Sequence, residues 1–386
     1  MGFVMKLWPH QQRVVDENLK KSILGFEMRV GKSLPASIWS KHSCRNRNVI
    51  IVCPKQLVKD WVTLCPHGKV YSKENFKKSW EKIEEPTALI IEEAHTFGSA
   101  LFTKSRSQLA TAMYNFIKAN PEMDVMLLTA TPVRNDPSSF HTLLCYIGVV
   151  IPWKDWRAKF YDLKYMPFLR FPAYFLKDNW RILIRPYIEK YVNIVSLKDC
   201  VDYLPPATTE IIKVKTPKRV VPVDELTRWT DEHQWEQSAK LPVIKALGYR
   251  KIIIVAHYTA QIDALAKELA TEREVFVLDG RTKDPAGTIR QAQESDQCYF
   301  IVQAQMGVGF DGWMFSAMVF ASMSHRNVDH TQMFGRLRHP LHLRPLQYYY
   351  LIAGIWDQRI YDSIQLGKDM NPHKYLNDPS QLTSNQ

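Results

Sequence analysis

Short apolar runs rich in β-branched residues recur along this chain of 386 residues, each separated from the next by a longer stretch of helical character. In the first half they fall at 49–53, 88–91 and 125–128. In the second half they fall at 251–256, 275–278, 299–303, 317–321 and 348–352. A run that is apolar throughout needs cover on both faces, which is the situation of a strand in a parallel sheet sandwiched by helices. Two such series predict an α/β fold with two lobes, each built on a parallel sheet. The length agrees, because one core rarely serves a chain much longer than about 200 residues.

Between the two series, residues 151–206 break the rhythm. They are dense in aromatic and basic side chains, among them Trp153, Trp156, Arg157, Phe160, Tyr161, Arg170, Phe171, Trp180, Arg181 and Arg185. Leu204-Pro205-Pro206 closes the segment as a stiff connector would. The expected organisation is a first lobe over 1–150, an aromatic and basic helical connector over 151–206, a second lobe over 207–370, and a polar tail over 371–386. In so apolar a connector the tryptophans are expected to pack between helices.

Composition narrows the partners. With 46% hydrophobic and 23% charged residues, the chain is globular and disorder is excluded as its main theme. A formal charge of +12 favours a polyanion, because neutralising phosphates releases counterions. The six cysteines form no C-x-x-C pair, which argues against a zinc ribbon or a redox dithiol and for a reduced, cytoplasmic setting. No apolar run approaches the roughly 18 residues of a membrane span, and residues 1–6 lack a signal-peptide core, so no membrane partner is expected.

The strongest local motif is Glu27-Met28-Arg29-Val30-Gly31-Lys32-Ser33. Its Gly-Lys-Ser end is where a phosphate loop turns into a helix. Backbone amides cradle phosphates there, Lys32 reaches the β- and γ-phosphates, and the Ser33 hydroxyl can ligate Mg2+. Phe26 stands where the usual pattern begins with Gly. Further on, the 88–91 strand runs into Glu92-Glu93-Ala94-His95. Of the carboxylates Glu92 and Glu93, ending a buried parallel strand beside a phosphate loop, one can hold Mg2+ through water and the other can activate the attacking water. Thr129-Ala130-Thr131-Pro132 follows the third strand, as a loop sensing a γ-phosphate would.

Together these motifs resemble superfamily 2 helicases, and within them the Swi/Snf-type branch. Leu7-Trp8-Pro9-His10-Gln11 is similar to the family's adenine-recognition motif, with Gln11 the purine reader. Residues 27–33 resemble motif I, Glu92 to His95 the DEAH box, and 129–132 motif III. Glu92 stands where the family has Asp. Residues 50–61, ending in Trp61, resemble motif Ia. Pro132-Val133-Arg134-Asn135 and Ile184-Arg185-Pro186-Tyr187 are similar to segments of the same branch. In the second half, Gln305-Met306-Gly307-Val308-Gly309-Phe310-Asp311 resembles motif V, whose glycines let backbone approach phosphate and ribose, and assigns Gly309 and Asp311 to nucleotide contact. Gln332-Met333-Phe334-Gly335-Arg336-Leu337-Arg338 resembles motif VI. There Arg336 would be the finger that neutralises γ-phosphate charge in the transition state. The family's second Arg is replaced by His339, and Arg338 is the candidate to supply the missing charge.

The resemblance implies two RecA-like lobes, ATP and Mg2+ in the cleft between them, and DNA as the track. The function expected is an ATP-dependent DNA translocase that follows duplex without separating it. A strand-separating or branch-migrating helicase is the enzymatic alternative, and a DNA-binding recruitment protein with little turnover the alternative of another class. The compact length suits a bacterial or phage motor. Histidines at 325, 330, 339 and 342 have neither Cys partners nor H-E-x-x-H spacing, so the only metal expected arrives with ATP.

Overall fold

The computed structural model describes residues 7–44, 48–98, 101, 106–133, 136–165, 173–201, 204–216, 233–234, 237, 239–307, 310–339 and 344–371. Gly309, Val308, Arg134, Asn135, Arg170, Phe171, His342 and the tail beyond residue 371 lie outside the described residues. The chain divides into two units, Met1–Asp202 and Tyr203–Gln386.

The first unit is built on a six-stranded sheet ordered β3-β2-β4-β5-β1-β8. Its strands are β1 (Lys21–Phe26), β2 (Val49–Cys53), β3 (Gly68–Ser72), β4 (Ala88–Glu92), β5 (Asp124–Leu128) and β8 (Val192–Val195). All are parallel to their neighbours. Every residue of β2 and β4 is buried, which is why both read as uninterrupted apolar runs. Helices α1 (Pro9–Glu17), α2 (Ser33–Cys44), α3 (Val58–Leu64), α4 (Lys73–Ser79), α5 (Gln108–Ala119) and α6 (Pro137–Tyr146) complete the α/β layers. Ile50, Val52, Leu89 and Ile91 share one core with Phe116 of α5 and Phe140 of α6.

Residues 151–206 carry α7 (Trp153–Phe160), an antiparallel hairpin of β6 (Tyr161–Lys164) with β7 (Ala173–Leu176), α8 (Trp180–Tyr191), and then β8. All but the last few belong to the first unit, because β8 pairs with β1 from Ile23↔Val192 to Phe26↔Val195. Gly25 permits that approach: a Cβ there would stand 2.4 Å from Val192 Cγ1. The tryptophans are packing residues. Trp156 is 1% exposed and rests on Phe160 (4.5 Å between ring centroids), His141 (5.0 Å) and Tyr187 (5.1 Å). Trp180 is buried too, and Trp153 leans on His141 at 5.4 Å.

The second unit has a six-stranded parallel sheet ordered β11-β12-β10-β13-β14-β9. Its strands are β9 (Ala207–Lys213), β10 (Lys251–Ala256), β11 (Glu274–Leu278), β12 (Cys298–Gln303), β13 (Ala317–Phe320) and β14 (Leu346–Ile352). Alternate residues divide cleanly between two cores. Ile253, Val255, Phe300, Val302, Met318 and Tyr350 face one side, while Ile252, Ile254, Tyr299, Ile301, Val319 and Leu351 face the other. Helices α9 (Leu241–Ala246), α10 (Thr259–Leu269), α11 (Pro285–Glu294), α12 (Asn327–Leu337) and α13 (Ile355–Gln365) flank the sheet. The whole is thus α/β with two parallel sheets of six strands. Among the described residues no helix is long and apolar enough to cross a membrane.

A charged cluster lies inside this unit. Asp357, fully buried near the start of α13, meets Lys240 Nζ at 2.6 Å and His233 Nε2 at 2.9 Å, and accepts the Ala353 amide at 3.0 Å. Burial alone would raise the Asp357 carboxyl, but Lys240 and the hydrogen bond from His233 outweigh it and hold the group well below the usual carboxylate range.

Candidate nucleotide site

β1 ends at Phe26, and the chain turns through residues 27–32 into α2. Two left-handed residues make the turn, Arg29 (φ 70°) and Gly31 (φ 75°). Gly31 is needed twice over, since a Cβ there would also stand 2.5 Å from Gln11 Nε2. Val30 is fully buried and anchors the loop. α2, a helix of 12 residues beginning at Ser33, opens on the amides of Ser33 and Leu34; Pro35 has none, and the Ala36 amide donates to Lys32 O at 3.4 Å. Such a terminus favours an anion.

The side chains around the loop fix its position. Gln11 is 6% exposed, and its amide donates to Gly31 O (3.0 Å) and Val30 O (3.3 Å), while its own carbonyl accepts the Trp8 amide at 2.9 Å. His10 Nε2 lies 3.0 Å from Val30 O, and its ring meets Phe26 and Trp8 edge-on. Glu27 turns the other way and accepts the Leu197 amide at 2.8 Å, tying the loop to the segment after β8. Met28 is half-buried beside it. Lys32 donates its ammonium to Phe26 O at 3.0 Å, folded over the loop's own backbone.

β4 brings the carboxylates. Ser33 donates its hydroxyl to Glu92 Oε2 at 3.1 Å, joining residues 59 apart in sequence. Glu92 is 5% exposed. Burial, followed by repulsion from Glu93, pushes its carboxyl up to about 7, against the pull of Lys32 and Ser33. A buried carboxylate so short of compensating charge, with a hydroxyl beside it, is a hard-oxygen donor pair of the kind Mg2+ takes, the other ligands coming from phosphates and water. Among the described residues no group of three or more His, Cys, Asp and Glu is arranged to hold a metal without such help.

Glu93 sits in the left-handed region (φ 52°, ψ 49°), which costs a non-glycine residue about 1–2 kcal/mol. The conformation turns its carboxylate out of the strand line toward His95, whose Nδ1 is 3.2 Å from Glu93 Oε2. The same nitrogen lies 3.1 Å from Thr129 Oγ1, and that hydroxyl accepts the Thr131 amide at 3.0 Å. A polar path therefore runs from the end of β4 to the loop after β5. The sheet order makes this possible, because β5 lies between β4 and β1. Three loops thus converge at the carboxyl ends of adjacent strands, where open α/β sheets bind their ligands.

Sequence reasoning missed one cation here. Lys73 opens α4 after β3, with its ammonium 5.6 Å from the Phe97 ring centroid. Burial lowers its proton affinity while Glu93, Glu74, Cys53 and Glu92 raise it, so Lys73 shares the field of the acidic pair. Its signal was a strand end, and β3 was not marked as a strand.

In the second unit, the loop after β12 and helix α12 are held together by Arg336. Its guanidinium donates to Gly307 O and to Phe310 O, the latter at 3.2 Å, and its carbonyl accepts the Gly312 amide at 3.1 Å. Gly312 has no room for a side chain, since a Cβ would lie 2.9 Å from Ile253 Cδ1. Asp311 is half-buried; its Oδ1 accepts the Trp313 amide at 3.3 Å, and its Oδ2 stands 4.0 Å from His339 Nε2. His339 therefore faces a carboxylate, and its ring is 5.9 Å from that of Trp313. Arg338 forms the end of α12.

No protein-family model and no curated protein matches the chain.

Proposed function

We propose that this protein is an ATP-dependent DNA translocase of superfamily 2, Swi/Snf-type, whose two α/β units are RecA-like lobes. The observation that carries this reading is the hydrogen bond between Ser33 and Glu92, 3.1 Å long, because it unites the loop after β1 with the carboxylate ending β4. A chance Gly-Lys-Ser turn would have no reason to meet a buried glutamate that holds its proton up to about 7.

The chemistry follows from these residues. The loop amides and Lys32 bind the phosphates, and Lys32 exchanges its bond to Phe26 O for the β- and γ-phosphate oxygens. Ser33 and Glu92 would hold Mg2+, which neutralises charge on the bridging phosphate oxygens. Glu93 orients and deprotonates the attacking water, and His95 keeps its carboxylate in position. Thr129 and Thr131 carry the state of the γ-phosphate into the loop after β5. Gln11 reads the purine, Gly309 and Asp311 contact the nucleotide, and Arg336 supplies the transition-state cation, with Arg338 in place of a second arginine.

DNA is the proposed track because the charge of +12 calls for a polyanion. Duplex is favoured over single strands because, of the three candidate stacking platforms, Trp156 and Trp180 are buried in the core and Trp153 is half-buried against His141. ATPase rates compared across single-stranded, duplex, forked and four-way DNA and RNA test the assignment. Duplex is expected to stimulate at least as well as single strands. Stimulation by single strands alone would favour the unwinding helicase, and no turnover with any nucleic acid would favour the recruitment protein.

A further inference from the structure

Nine Lys and Arg stand against four Asp and Glu in residues 151–191. The charge is concentrated on a part of the first unit that the nucleotide site does not use. The β6–β7 hairpin forms a sheet of its own with two strands, and such a hairpin is marginal unless something else holds it. Its inner end is held: Tyr161 and Leu176 pack on the core, and the Lys177 amide donates to Phe160 O at 3.0 Å. Its outer end is not buried, with Leu163 47% and Tyr174 46% exposed.

The cations here are mounted on aromatic rings. The Arg157 guanidinium lies 4.1 Å from the Tyr174 ring centroid, Lys159 Nζ 4.5 Å from that of Tyr187, and Lys164 Nζ 5.8 Å from that of Phe175. Arg181 lies 5.1 Å from the Trp180 ring centroid. A ring covered by a cation offers one face fewer to a stacking base, while the cation loses freedom and keeps its charge. On α8, Arg181 and Arg185 are exposed one turn apart, on the same side of the helix. The arrangement suits a repeating line of phosphates and is poorly suited to reading bases.

We propose that α7, the β6–β7 hairpin and the exposed side of α8 form an accessory clamp that grips the phosphate backbone of duplex DNA without sequence preference. This rests on the duplex reading above and deepens it by naming the surface. The commitment to duplex comes from the cations over Tyr174, Tyr187, Phe175 and Trp180 and from the burial of Trp156 and Trp180; Tyr165, 81% exposed just past β6, is a ring open to a base, and the single-strand arm of the test reads it.

The test is equilibrium binding by the full chain, without nucleotide, as a function of salt. The variant is Lys164→Gln, Arg181→Gln and Arg185→Gln together. Each lost phosphate contact lowers the slope of log K against log salt by about 0.9 on B-DNA, so the triple variant is expected to lose about 2–3 units of slope. The loss should be equal on duplexes of unrelated sequence. The charge-retaining triple Lys164→Arg, Arg181→Lys and Arg185→Lys should bind as the wild type does. An unchanged slope, a loss confined to single strands, or an equal loss in the charge-retaining variant would overturn the clamp. So would weaker binding to anionic phosphatidylserine vesicles with duplex binding intact. ATP binding to the wild-type chain, measured by equilibrium dialysis, tests the nucleotide site separately, so the clamp and the motor reading can fail independently.

Discussion

Ser33 and Glu92 meet at 3.1 Å across the carboxyl ends of two strands that are not neighbours in the sheet. The glutamate is one methylene longer than the aspartate usual in the helicases that the motif resembles. Glu92→Asp restores the usual side chain, so magnesium-dependent ATP hydrolysis should survive or rise. A magnesium titration of the steady-state rate checks this. Complete inactivation would mean that the cation site depends on the longer arm.

Arg336 binds the carbonyls of Gly307 and Phe310 and so ties the loop after β12 to α12. Arg336→Ala should leave nucleotide affinity largely intact while cutting turnover about 10³-fold, if it acts as a finger. The split between binding and turnover matters, because a purely structural role would erode both. Arg338→Ala, measured beside it, reports whether that residue takes the part of the second arginine that the resembled helicases carry where this chain has His339.

Most of the fold was legible in the sequence. All eight apolar runs are strands; seven carry the plain signature of burial on both faces, while β11, at the sheet edge, is mostly half-buried. Four sheet strands were not marked, for reasons visible in their residues. β1 begins Lys21-Ser22 and contains Gly25, which is there to let Val192 approach. β3 opens Gly68-Lys69 and is only partly buried. β9 is an exposed edge strand with polar residues through its middle. β8 is short and carries Asn193, hidden in a stretch whose aromatic content suggested helices. At the candidate site, Lys32, Ser33, Glu92 and Glu93 were named from motif chemistry and converge. Lys73 was invisible because its place depends on β3, and the ties of Gln11 and Glu27 to the backbone depend on tertiary contacts.

The buried charges of the second unit predict a stability effect of their own. Asp357→Ala would leave Lys240, itself fully buried, without its carboxylate. Breaking a buried pair from one side costs about 3–5 kcal/mol. Urea unfolding should show a loss of that size in the second unit's transition. Replacing both partners, Asp357→Leu with Lys240→Met, should recover part of it.

Acid should also weaken this unit. Burial lowers the proton affinity of His330 to about 4, beside Phe320 at 5.0 Å and with Nε2 2.6 Å from the Tyr350 hydroxyl. The folded state therefore resists protonation that the unfolded chain accepts from about 6.5 downward. Stability from this group is complete above about 6.5 and falls as pH drops toward about 4. Unfolding midpoints measured across that window should decline, and His330→Phe should flatten the decline.

The most direct test of the central claim is ATP binding and hydrolysis by Glu93→Gln in the presence of duplex DNA. Glu93 holds a left-handed backbone and pairs with His95; under the proposed mechanism its carboxylate is the one that would activate the attacking water. The variant keeps the loop, Lys32 and the Ser33–Glu92 pair, so it should bind ATP as the wild type does and fail to turn it over. Hydrolysis at the wild-type rate would contradict the account.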